Sequence, residues 1–106
     1  MTDKKELALQ AVEVAKNSGK IKKGTNEVTK ALEKGIAKLV VYAKDVQPAE
    51  IVMHLPILAK EKNVPCVAVD SREELGAAAG VGLPTSSVAI VNEGEAKKII
   101  AQIAKE

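Results

Sequence analysis

Three short apolar runs constrain the fold of this chain more than any other feature. They read AKLVVYA (37–43), VPCVAV (64–69) and SVAIV (87–91), and each is too short and too rich in β-branched residues for a helix. Near-continuous apolar strands are typical of a sheet that is covered on both faces. Because helical patterns separate the runs, we predict an α/β fold: a three-layer α/β/α sandwich with a small mixed, mostly parallel central sheet.

Five segments carry the spacing of helices, and they are predicted at 3–18, 25–34, 49–62, 72–80 and 95–105. Gly19 and Gly35 are expected to end the first two. Pro48 should open the third, and Pro56 should bend or divide it. Ser71, with Glu74 three residues later, predicts a capping box for the fourth. The KIKK segment (20–23) fits an edge strand whose lysines discourage pairing with other chains.

Composition indicates one globular domain over residues 1–106. The chain is 46% hydrophobic and 28% charged, and no apolar run is long enough to cross a bilayer. No signal-peptide pattern is present. The single cysteine, Cys66, lies in an apolar run, so we expect a reducing cytoplasmic compartment.

Catalytic and metal-binding motifs are missing from the sequence. His54 is the only histidine, and no second ligand lies at a suitable spacing, so we expect no metal, no cofactor and no catalytic residue. His54 is interpreted as a helix-surface or partly buried residue, and Cys66 as an inert core residue. The glycines around GAAAGVGLP (76–84) match neither a phosphate-binding loop nor a dinucleotide fingerprint.

Charge is unevenly distributed along the chain. Residues 20–44 contain seven lysines against two glutamates, a local charge of +5 on a protein whose net charge is +2. A basic field of this kind suggests an anionic partner, although a solvated lysine-rich face would have the same composition. Tyr42 is the only aromatic residue, which nearly excludes nucleic-acid binding by aromatic stacking.

The segment KKGTNEVTKALEKG (22–35) combines this charge with hydrogen-bonding groups. Helical spacing turns Val28, Ala31 and Leu32 to the core, so Asn26 and Lys30 face solvent together, one turn apart. An amide, a carboxylate from Glu27 and an ammonium suit base edges, while the neighbouring lysines can neutralise phosphates. Helix capping by Thr25 or Asn26 is an alternative that does not exclude recognition. A small protein-interaction or ligand-binding module with a solvated lysine face also stays open.

At these residues the sequence resembles the archaeal large-subunit ribosomal protein of the L-seven-Ae type and its kink-turn-binding relatives. KKGTNEVTKALEKGIAKLVVYAKDV is similar to the family's RNA-reading segment, and HLPILAKEKNVP to its central helix and turn. ELGAAAG and GLPTSSVAI resemble the loop and strand that follow. The resemblance covers nearly the whole chain.

The resemblance implies a non-enzymatic protein that binds the kink-turn, a sharply bent RNA with tandem sheared G·A pairs. It implies that Asn26, Glu27 and Lys30 contact the guanines and the flanking RNA backbone. Gly24 and Thr25 would bring the protein backbone close to the RNA. Lys23 and Lys34 would lie near phosphates. An apolar loop formed by Val81, Gly82, Leu83 and Pro84 would meet an extruded nucleotide.

The partners implied by the resemblance are ribosomal RNA, box C/D and box H/ACA guide RNAs, and RNase P RNA. The corresponding roles are ribosome biogenesis and tRNA processing. Core proteins of guide ribonucleoproteins would contact the helix around His54, and the free protein is expected to be a monomer.

Overall fold

A computed structural model describes residues 4–47 and 50–105. The helices are α1 (Lys4–Ser18), α2 (Thr25–Glu33), α3 (Glu50–Glu61), α4 (Arg72–Ala78) and α5 (Lys97–Lys105). The strands are β1 (Lys20–Lys23), β2 (Leu39–Ala43), β3 (Cys66–Val69) and β4 (Ser87–Asn92). Residue 3, where the first helix was predicted to begin, and Pro48 and Ala49, predicted to open the third, lie outside the described residues.

The four strands form one sheet in the order β1-β4-β2-β3. Only β2 and β3 run parallel, whereas β4 is antiparallel to both β1 and β2. The predicted mixed sheet is therefore confirmed, but the prediction that it is mostly parallel is wrong. Apolar runs report burial on both faces but not direction, and β4 enters the middle of the sheet in the reverse sense.

The three-layer architecture is confirmed. Helix α1 packs against α4 and α5, while α2 packs against α3 and both contact the sheet. Consecutive residues of β2, Leu39, Val40 and Val41, are completely buried, so both faces of the strand lie in the core. The sheet is thus covered by one helical layer on each side, as the predicted α/β class requires.

Pro56 does not divide the third helix, contrary to one of the two predicted effects. Helix α3 runs without interruption from Glu50 to Glu61 with Pro56 inside it. Leu55 and Ala59 on the same helix are fully buried. Their packing against the core stabilises the helix although the proline ring removes one backbone hydrogen-bond donor.

The Ser71 half of the capping box predicted for the fourth helix is confirmed. The Ser71 hydroxyl accepts a hydrogen bond of 3.1 Å from the backbone N–H of Glu74. The last helix starts later than predicted, at Lys97, because a 3-10 turn occupies Gly94–Ala96. The predicted edge position of the KIKK strand is also confirmed.

Candidate nucleic-acid interface

A glycine turn connects the edge strand β1 to helix α2. Gly24 is the N-cap of α2, with φ 94° and ψ 149°, a backbone conformation that is essentially restricted to glycine. No side chain of the described residues caps this helix end. The expectation that Thr25 or Asn26 is the N-cap is therefore wrong. Thr25 is already the first residue of the helix, because the chain turns one residue earlier to leave β1.

The outward face of α2 carries the polar set expected from the sequence. Val28, Ala31 and Leu32 are buried. We call Gly24, Thr25, Asn26, Glu27 and Lys30 the reading face; within it the side chains of Asn26, Glu27 and Lys30 are exposed. An amide, a carboxylate and an ammonium therefore lie together on the first turns of one helix, beside uncapped N–H groups that favour anions.

Two hydrogen bonds fix the start of α2 to Ser86 and to Ser87, the first residue of β4. The Thr25 and Ser86 hydroxyl oxygens lie 3.1 Å apart, and the Gly24 N–H donates to the Ser87 carbonyl at 2.9 Å. The reading face is thus attached to the residues that follow the GVGLP loop, which comprises residues 80–84. Since Ser86 is four positions after Gly82, Gly82 lies at most about 14 Å from this attachment.

The GVGLP loop lies against helix α4. The Leu83 carbonyl approaches Gly76 so closely that a Cβ built there would be 1.9 Å from the oxygen. Thr85 N–H also donates to the Arg72 carbonyl at 3.1 Å. The Leu83 side chain is 70% exposed. The backbone of the loop is therefore held by the protein while an apolar side chain remains available to a ligand.

The structure does not bring all predicted site residues together. Lys23 ends β1 directly before the reading face, but Lys34 lies just beyond the other end of α2. Eight residues of helix separate Asn26 from Lys34, a distance of roughly 12 Å along the axis. Lys34 can therefore contact only a more distant part of a ligand than Asn26 does.

Comparison with known proteins places this geometry in a family. The model of the Ribosomal protein L7Ae/L30e/S12e/Gadd45 family matches residues 6–100. The chain belongs to this ribosomal protein family. A solved structure of the 15.5kD RNA binding protein of Giardia lamblia is 32% identical, with a TM-score of 0.81. The alignment covers 99% of this chain and 95% of that one.

Arg72 lies beside the candidate site, a position that the sequence pattern does not indicate. It is the only arginine of the chain, and its carbonyl accepts the hydrogen bond that ends the GVGLP loop. The Asp45 carboxylate accepts from the Arg72 N–H at 3.0 Å and lies 3.5 Å from the guanidinium Nε. Its position after a capping serine suggested only a helix start, so the signal available was the presence of a single arginine near a predicted binding loop.

His54 is exposed on α3 and forms a hydrogen bond with Thr29 of helix α2. Its Nε2 lies 2.9 Å from the Thr29 hydroxyl. On the same helix the side chains of Met53 and Ile57 are 59% and 65% exposed. These two apolar side chains are one helical turn apart, so α3 exposes an apolar pair close to His54.

The remaining reactive group, Cys66, is poorly suited to nucleophilic chemistry. Cys66 is partly buried against the core and is not one of the buried core residues, contrary to the prediction. Its burial nevertheless raises the pKa of its thiol to about 12, so the thiol is protonated at neutral pH. It lines a recess of about 480 Å³ beside Lys4 and Lys60, away from the reading face. Among residues 4–47 and 50–105, no cluster of metal-binding side chains occurs, and no helix is long and apolar enough to cross a membrane.

Proposed function

We propose that this family member is a non-enzymatic RNA-binding protein that recognises and stabilises kink-turns through a single domain formed by residues 1–106. The observation that carries the proposal is the connection between Thr25 and Ser86. It holds a polar helix start to a residue two positions after an apolar loop, and these two surfaces have the chemistry needed for paired and unstacked nucleotides respectively. The similarity to an RNA-binding protein of known structure supports the same class of ligand.

The reading face supplies the groups for guanine edges. Asn26 can donate and accept, the Glu27 carboxylate accepts from base N–H groups, and Lys30 donates to carbonyl or phosphate oxygens. Lys23 and Lys34 lie at either end of α2, where they can neutralise phosphates on the flanking strands. An undistorted A-form major groove would exclude a helix, but a kinked RNA opens the groove beside its sheared pairs.

The GVGLP loop would meet the nucleotide that leaves the stack. Val81 and Leu83 offer apolar contact, and Gly82 with φ +69° and Pro84 shape the backbone around them. The straight RNA does not present the guanine edges and the extruded nucleotide at the same time. Binding both therefore favours the bent conformer over the straight one.

The proposed RNA partners are ribosomal RNA, box C/D and H/ACA guide RNAs, and RNase P RNA, with a cytoplasmic role in ribosome biogenesis and tRNA processing. Core proteins of guide ribonucleoproteins are proposed to contact α3 around His54. The exposed pair Met53 and Ile57 supports this contact, since apolar side chains exposed together commonly mark a protein-binding surface.

A gel-shift titration tests the proposal. We compare a kink-turn RNA with a version whose sheared G·A pairs are replaced by Watson–Crick pairs. A specific reader binds the kink-turn much more tightly than the control RNA. Equal, weak, salt-sensitive binding of both RNAs would leave only the solvated lysine face, the alternative that the composition also allows.

Three substitutions divide base recognition from charge. Asn26→Ala and Glu27→Ala should each lose affinity for the kink-turn and leave binding to the control RNA nearly unchanged. The loss should be about fivefold to a hundredfold, corresponding to about 1–3 kcal/mol of discrimination per base contact. Lys34→Ala should weaken both RNAs and lower the salt dependence by about one counterion. The same loss for all three variants on both RNAs would contradict the assignment.

A further inference from the structure

A hydrogen-bond relay connects helix α3 to the first turn of helix α2. The Thr29 hydroxyl lies 2.8 Å from the Thr25 carbonyl and 2.9 Å from His54 Nε2. A carbonyl can only accept, so the single hydroxyl proton of Thr29 is donated to Thr25. His54 must then donate its Nε2–H to Thr29. The order of donation is therefore His54 to Thr29 to Thr25.

The end of this relay is the peptide unit that orients Asn26. The Thr25 carbonyl and the Asn26 nitrogen belong to the same planar peptide, so fixing the carbonyl direction also fixes the Asn26 backbone. Thr25 is held a second time through its own hydroxyl, 3.1 Å from that of Ser86. The first residue of α2 is thus held by α3 on one side and by the segment before β4 on the other.

The helix end itself supplies little of this restraint. The N-cap is a glycine, and no described side chain caps α2. Uncapped helix ends fray, and a frayed first turn would move Asn26 and Glu27. The relay acts on this turn from outside the helix, where a conventional capping side chain would otherwise act.

We propose that Thr29 and His54 are positioning residues for RNA recognition: they hold the Thr25–Asn26 peptide in the orientation that presents Asn26 to RNA. This inference rests on the proposed function. Neither side chain needs to touch RNA, because its effect passes through the backbone of Thr25. Losing the relay should therefore lower discrimination between kinked and straight RNA while leaving general affinity unchanged.

The test measures binding of kink-turn RNA and of the Watson–Crick control RNA. Thr29→Val and His54→Leu should each weaken kink-turn binding by about twofold to tenfold, the effect of losing one hydrogen bond. Binding of the control RNA should not change. Thr29→Ser and His54→Gln keep the hydroxyl and the N–H donor, so both should retain the wild-type ratio.

The double variant Thr29→Val with His54→Leu tests whether the two residues act as one chain. The double variant should lose the same kink-turn affinity as Thr29→Val alone, since either substitution breaks the same relay. The inference would be overturned if the losses of kink-turn affinity in the two single variants add up in the double variant. It would also be overturned if the single variants keep the wild-type ratio of kink-turn to control affinity, or lose equal affinity for both RNAs. Circular dichroism melts of every variant identify any that lose the fold, and the serine and glutamine variants then decide the result.

The wild-type measurement separates this inference from the proposed function. If the wild-type protein does not distinguish the two RNAs, the proposed function fails. If it distinguishes them and His54→Leu does so equally well, only the positioning role is refuted.

Discussion

Replacing Gly76 by alanine perturbs the GVGLP loop without changing any residue of it. The new Cβ would be 1.9 Å from the Leu83 carbonyl oxygen, whereas real Cβ contacts are essentially never shorter than 3.0 Å. Loop and helix must therefore separate by at least 1.1 Å, the difference between these distances. Because the neighbouring atom belongs to the backbone, a side-chain rotation cannot relieve the clash.

The effect on stability should be small and the effect on RNA binding larger. Overpacking costs about 1–3 kcal/mol, whereas alanine in a helix is more favourable than glycine by about 1 kcal/mol. We expect a net loss of unfolding free energy of about 0–2 kcal/mol. Displacing Leu83 from its proposed contact with an extruded nucleotide can remove up to the burial free energy of one leucine side chain, about 1.5–3 kcal/mol. That corresponds to about tenfold to a hundredfold in Kd.

Urea unfolding and gel-shift titration together measure both quantities, and Gly19→Ala is the matched control. Its Cβ would be 2.1 Å from the Asn92 carbonyl oxygen, a comparable backbone clash at the far end of β1 from Gly24. Gly19→Ala should lose stability and retain discrimination between the two RNAs. Wild-type binding by Gly76→Ala, or the same loss of discrimination in both variants, would refute a direct role for the loop.

Three further outcomes follow from individual residues. A Cβ at residue 24 would meet no atom within 4 Å, but an alanine there would have to adopt φ +94°. We therefore expect Gly24→Ala to lower the free energy of unfolding by about 1–3 kcal/mol in urea and to weaken kink-turn binding. Unchanged stability would contradict the assigned turn. Leu83→Ser should change the free energy of unfolding by less than about 0.5 kcal/mol because the side chain is exposed. It should nevertheless weaken kink-turn binding in the gel shift. Kink-turn affinity equal to that of the wild type would remove Leu83 from the site. The Cys66 thiol has a folded-state pKa raised from 9.0 to about 12, so its stabilising effect is complete below pH 9 and is lost as pH rises towards 12. Urea unfolding of wild type and Cys66→Ala between pH 7 and 11 should show the wild type losing more stability; parallel curves would count against a buried thiol.

The sequence predicts the helices well and their connections poorly. Val28, Ala31 and Leu32 repeat at helical spacing, so α2 and its outward face follow from local pattern alone. The glycine cap does not, because Gly24 turns where β1 pairs with β4, a partner far along the chain. Thr25 was a reasonable capping residue, but its hydroxyl lies against Ser86 instead.

Strand direction and loop placement are equally non-local. The apolar runs of β2 and β4 correctly predicted burial, but no residue in either run states that they are antiparallel. Ser71 was correctly predicted to cap a helix. That cap accounts for the local pattern without giving Arg72, the next residue, any role in binding. Arg72 gains its place near the site only through the hydrogen bond from Thr85, which sequence spacing could not indicate.

The central position of β4 sets the order in which the protein can become functional during translation. Helix α2 leaves the ribosome early. Ser86, whose hydroxyl contacts Thr25, follows 61 residues after Thr25. Until then β1 has no strand partner, since it pairs only with β4 among the described strands. A nascent or truncated chain that ends before residue 86 therefore carries the basic segment without its anchor. Under the proposed function, such a chain can attract RNA by charge, and it becomes selective only when nearly the whole sequence has been synthesised.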